Sequence, residues 1–160
     1  MNLQTLYHLA LVTHIIGLTT MAGATLADYI LFKQFWKQYY LAKEKGMAVL
    51  ETLSKLPMLM GIGILLLLLS GFTMMGITHG VFGEQLWFRI KFALVIIIIL
   101  NGIVLGRRQG LKLRKLLVDN SPGKNQPSEL LKIKGNIRLF HLSQILLFLV
   151  VFVLSVFKYN

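Results

Sequence analysis

Four runs of apolar residues, about 5–32, 56–77, 86–106 and 138–157, are separated by more polar stretches, in the first and last of which Lys and Arg recur. Each run reaches the roughly 20 residues that a helix needs to cross the hydrocarbon of a bilayer. Lipid offers no hydrogen-bond partners, so each run predicts a helix that satisfies its own backbone. The expected fold is all-α, an integral membrane four-helix bundle forming one domain over 1–160, with only a loose two-hairpin symmetry inside it. No Lys or Arg precedes the first run, the first cation being Lys33, which argues against a cleavable signal peptide.

Composition narrows the class. Hydrophobic residues make up 56% of the 160 and charged residues 14%, and the mean hydropathy is +0.69; a soluble domain of this length needs more polar surface. The absence of cysteine excludes disulfides, iron–sulfur clusters and thiolate zinc sites. The formal charge of +11 is read as topology rather than nucleic-acid binding, because 14 of the 17 cations fall in two segments. Lys33, Lys37, Lys43, Lys45 and Lys55 occupy 33–55; Arg107, Arg108, Lys112, Arg114, Lys115, Lys124, Lys132, Lys134 and Arg138 occupy 107–138. The connection 78–85 has no Lys or Arg. The positive-inside rule then places both termini outside the cytoplasm of a bacterial-type inner membrane. Within the cytoplasmic basic segment 107–137, "RRQGLKLRKLLV" is expected to extend the third helix as an amphipathic stretch near anionic headgroups. "DNSPGKNQPSE" is expected to be a solvated, turn-rich connector.

Ionisable and polar side chains inside spans are costly in lipid and point to function. At ~1.5 Å per residue they separate into two layers. The outer layer holds His14, with His8 shallower, and Arg89, Lys91, Met74, Met75 and His79. The inner layer holds Asp28, Asn101, His141 and Gln144. On the first helix Tyr7, His14, Met21, Thr25 and Asp28 share a stripe expected to face the bundle. On the third, Lys91 shares a face with Gly102 and Gly106, where small residues allow close helix approach. Arg89 points the other way, close to Trp87, as an interfacial anchor. Asp28 is expected to pair with a loop lysine such as Lys33.

A neutral imidazole in an apolar bundle suits axial ligation of haem iron. His14 is the candidate iron ligand, with Met74 or Met75 as a weaker second ligand and Lys91 placed to meet a propionate or an anionic substrate. Rise-per-residue arithmetic sets His14 and His141 at depths differing by roughly 10 Å, which disfavours bis-histidine ligation. A competing set, His8, Met74, Met75 and His79, has the soft thioethers and imidazoles that suit copper as Cu(I), in a copper-binding or transport protein. A third alternative is a structural membrane subunit without a cofactor, in which Lys91 snorkels.

The stretches "THIIGLTTMAG" (13–23) and "WFRIKFALV" (87–95), with Trp87 four residues before Lys91, resemble HemJ-type protoporphyrinogen oxidases and, more broadly, the CopD-like superfamily of small membrane proteins. The resemblance implies a haem b protein with His14 as iron ligand and Lys91 essential to activity. The implied reaction is the six-electron oxidation of protoporphyrinogen IX to protoporphyrin IX. The implied partners are membrane lipid, an anionic tetrapyrrole or other anionic small molecule, and a respiratory-chain acceptor or quinone. A homo-oligomer is compatible with it. The chain departs from the family at "ATLADYILF", which supplies Asp28 in place of a Pro-Arg stretch, and at "RLFHLSQ", which supplies His141 and Gln144 in place of an Asn-Glu pair.

Overall fold

The computed structural model describes residues 2–79, 81–118 and 126–157. Asn2 caps the first helix, its side chain accepting from the Gln4 amide at 3.3 Å, which satisfies one of the amides a helix start leaves free. From there α1 runs over Leu3–Leu41, 39 residues. That is about 58 Å of helix, roughly twice the thickness of the hydrocarbon. It ends where Ala42 turns extended (φ −156). The chain then folds back as α2 (Lys43–Leu53), with Glu44 favourably placed in its first turn. A turn at Ser54–Lys55 leads into α3 (Leu56–Ile77), which has proline at its start, where a missing N–H costs nothing.

A 3₁₀ turn, Val81–Glu84, links α3 to α4 (Leu86–Asn101). Without a break, α4 passes through a π-helical segment, Gly102–Arg107, into α5 (Arg108–Val118). The last helix, α6, covers Gln126–Val156. Four helical stretches, Leu3–Leu41, Lys43–Ile77, Leu86–Leu117 and Pro127–Val156, are long and apolar enough to span a membrane. The chain is an all-α, four-helix membrane bundle.

Two clusters hold it together. Within the apolar part, Met21, Leu67, Ile98, Phe148 and Val151 bring together α1, α3, α4 and α6. Here α1 and α3 come into backbone contact: a Cβ on Gly63 would lie 2.9 Å from the Met21 nitrogen, and one on Gly17 2.9 Å from the Leu67 nitrogen. Packing of this kind drives association in lipid, where apolar burial gives little. At the basic end Phe32, Phe35, Trp36, Leu50, Leu53, Leu113, Leu117, Ile133 and Ile137 form a second core. Lys134 caps it, its Nζ 4.8 Å from the Trp36 ring and 5.1 Å from that of Tyr40.

That second core extends the reading of the basic segments. As expected, 107–118 continues the third helix; its apolar face packs against other helices through Leu113 and Leu117. α6 begins at Gln126, twelve residues before the expected start of the span at 138, so only 119–125 of the expected connector lies outside the described residues. The close approach expected at Gly102 and Gly106 is also divided. A Cβ on Gly106 would lie 2.8 Å from the Phe140 ring, whereas one on Gly102 would meet nothing within 4 Å.

Candidate functional site

His14 sits half-buried on the inward stripe of α1, with its Nδ1 3.0 Å from Ser70 Oγ on α3. Ser70 Oγ also lies 2.5 Å from the Leu66 carbonyl and 3.1 Å from that of Leu67, either of which can take its proton. The hydroxyl is then free to accept from His14 Nδ1–H. In that tautomer Nε2 carries a bare lone pair. The ring is fixed by a partner on its far nitrogen, as metal-ligating histidines usually are. Gly71, the residue after Ser70, leaves room for the imidazole, since a Cβ there would lie 3.7 Å from His14 Cε1.

Lys91 on α4 is half-buried and within Coulombic range of His14. Its ammonium lies 4.5 Å from the centre of the Trp87 ring, one turn earlier. Trp87, four residues before Lys91, thus carries the ammonium on its ring face. Arg89 is exposed and donates through Nε to the Gly83 carbonyl at 2.9 Å, which pins α4 to the short connection. Lys91 is thus the more buried of the two cations.

The inner layer forms two neighbouring polar groups, the first about two-thirds of the way along α1. His141 is fully buried and its Nε2 lies 2.8 Å from Asp28 Oδ2. Its Nδ1 is buried with no partner among the described residues. A buried N–H there would be unsatisfied, so the proton belongs on Nε2, which donates to the carboxylate. The rings of Tyr29, Phe32 and Phe140 enclose the imidazole at 5.6, 5.3 and 5.1 Å. The expected pairing of Asp28 with Lys33 is not formed; Lys33 lies 4.5 Å over the Tyr29 ring instead. One turn further along α6, Gln144 accepts from Asn101 Nδ2 at 2.7 Å and donates to the Ile98 carbonyl at 3.3 Å. Asn101 also donates to Ser143 Oγ at 3.0 Å. These bonds tie α4 to α6 just before the π-helical segment.

Asp28, and with it His141, stands fourteen residues beyond His14 along α1, about 21 Å. The two histidines cannot share one metal, and they stand about twice as far apart as the roughly 10 Å of the depth arithmetic. Met74 is half-buried, while Met75 turns toward the short connection, its Cε 3.4 Å from where a Gly83 Cβ would be. His8 is exposed with its ring 6.1 Å from that of Tyr7. His79 is exposed in the left-handed region at φ 51. Among the described residues no three His, Asp or Glu side chains gather as a metal-binding group.

Two features escaped sequence reasoning. Ser70 is one of several hydroxyls in apolar helices, and its only signal is that it shares the α3 face of Gly63 and Leu67. The second is a cavity of about 440 Å³ between α3 and α4, with Asp28, His141 and Gln144 in its wall. No family model, curated protein or solved structure matches this chain.

Proposed function

We propose that this chain is a haem-b-binding membrane oxidoreductase of the protoporphyrinogen-oxidising kind, with His14 as the iron ligand. The observation that supports this reading is the 3.0 Å contact of His14 Nδ1 with Ser70: with Nδ1–H donating to the hydroxyl, the Nε2 lone pair is left for a metal. Haem b, held there, would supply one-electron redox chemistry. Lys91 is a cation kept at intramembrane depth near that imidazole. It fits the carboxylates of an anionic tetrapyrrole, and the Trp87 face beneath it holds the ammonium in place. The basic end faces the cytoplasm of a bacterial-type inner membrane and both chain termini face outward.

The test is the absorption spectrum of detergent-purified protein, oxidised and then dithionite-reduced. Wild type is expected to show a Soret band that shifts on reduction and is lost in His14→Ala. Ser70→Ala, which frees the ring without removing the ligand, is expected to weaken haem retention by about 10- to 100-fold. A featureless spectrum from folded wild type, even after incubation with hemin, overturns the reading.

In the same preparation Lys91→Ala should retain the Soret band and lose protoporphyrinogen oxidation. Unchanged turnover would remove Lys91 from the site. Orientation is read separately, because the chain has no cysteine of its own. Val81→Cys should react with a membrane-impermeant maleimide in intact cells, and Lys37→Cys only after lysis; the reverse pattern inverts the topology.

A further inference from the structure

The cavity between α3 and α4 has no part in the ligation of His14. α3 and α4 barely meet, so the space between them is a slot floored by α1 and α6 and open sideways at the exposed Gly61 and Ile103. It follows α4 and α5 from Ile98 to Arg114, about 24 Å of helix. Its volume of about 440 Å³ and its lining along this stretch of helix can take a ring with a chain.

Its walls are kept back by glycines. Gly61, Gly102 and Gly110 all line it, and a Cβ on any of them would meet nothing within 4 Å. Gly102 also opens the π-helical segment, a distortion common at functional sites.

The slot is mostly apolar, but Arg107 and Arg114 line its basic end and Asp28, His141 and Gln144 another part of its wall. Asp28 reaches its wall with a side chain still 18% exposed, and one carboxylate oxygen is held by His141. Away from the two arginines this carboxylate still has acceptor capacity on the slot side, which a donor on the occupant would satisfy. An acyl chain would leave that capacity unused. A lipid-soluble ring bearing a hydroxyl would use it, and can enter sideways from the bilayer.

We propose that this slot binds a quinol, with a ring hydroxyl donating to Asp28 and the chain lying along the Ile98–Ile103 wall. The site stands on the cavity and Asp28 alone. Its role as the redox partner's site rests on the proposed haem reading.

The experiment measures binding of a decyl-chain benzoquinol, kept reduced under anaerobic conditions, and of its oxidised quinone, to detergent-purified full-length protein. Wild type is expected to bind the quinol. Asp28→Asn still offers an oxygen to His141 but turns an amide N–H toward the slot. It should weaken quinol binding at least tenfold while sparing the quinone. Gly102→Leu fills the slot and should abolish binding of both. Circular dichroism and gel filtration verify that each variant is folded, and Asp28→Asn carries the test where Gly102→Leu fails to fold. The proposal is overturned if wild type does not bind the quinol, or if Asp28→Asn binds both forms as wild type does. It is equally overturned if oleate displaces the quinol stoichiometrically and is itself unaffected by Asp28→Asn, since the slot is then an acyl-anion site facing Arg107 and Arg114. His14→Ala should bind quinol normally. A colourless protein that binds quinol removes the haem reading and leaves this site, and a haem-loaded protein that does not bind removes the site alone.

Discussion

Gly63→Leu is expected to be among the most damaging single substitutions in this chain, lowering stability by about 3 kcal/mol or more. The Cβ alone would lie 2.9 Å from the Met21 nitrogen and 3.0 Å from the Gly17 oxygen, and both are backbone atoms that no rotamer change can move. The helices must separate. In lipid the lost contact is not replaced by a hydrophobic gain, because lipid tails solvate the parted surfaces equally well. Separation also carries Ser70, two turns along α3, away from His14, so the 3.0 Å bond that fixes the imidazole is lost. Thermal unfolding in detergent reads the first effect and haem retention the second. Gly76→Ala on the same helix is the control: a Cβ there meets nothing within 4 Å, and helix propensity favours alanine. Equal stability of Gly63→Leu and wild type would show that the α1–α3 contact is not a determinant of the fold.

That contact also shows what the sequence could and could not convey. The four spans and their helical character follow from hydropathy, since only a self-satisfied helix survives where water is absent. The inward stripe of α1 was legible too: Met21 and Thr25 are buried, and His14 and Asp28 lie on the same side. Helix ends outside the apolar runs were not. The reach of α1 to Leu41 and the start of α6 at Gln126 depend on Trp36, Leu113, Leu117, Ile133 and Ile137 packing together. An amphipathic stretch such as 107–118 has the same pattern whether its apolar face meets headgroups or other helices. Pairing was the other blind spot. Asp28 and His141 could be placed in one layer by counting residues, but Lys33 is nearer in sequence. Only the adjacency of α1 and α6 shows that the histidine is the partner.

His141→Ala is expected to destabilise the bundle by about 3–5 kcal/mol, because it strips Asp28 of the donor that holds its carboxylate away from bulk water. A cavity among Tyr29, Phe32 and Phe140 adds to that cost. The informative comparison is with the double variant Asp28→Leu/His141→Phe, which removes both polar groups at similar volume. Replacing both partners of a buried hydrogen bond by apolar groups is often neutral or stabilising. Recovery of wild-type stability in the double variant, with quinol binding lost, would mean that the pair is retained for the chemistry of the slot and at some expense to the fold. A double variant as unstable as His141→Ala would mean the opposite. The pair would then be a structural clamp between α1 and α6, and Asp28 would face the slot only as a consequence of that clamp. Unfolding by denaturant titration in detergent micelles distinguishes the two, since the single variant and the double variant differ by several kcal/mol under the first outcome and by little under the second.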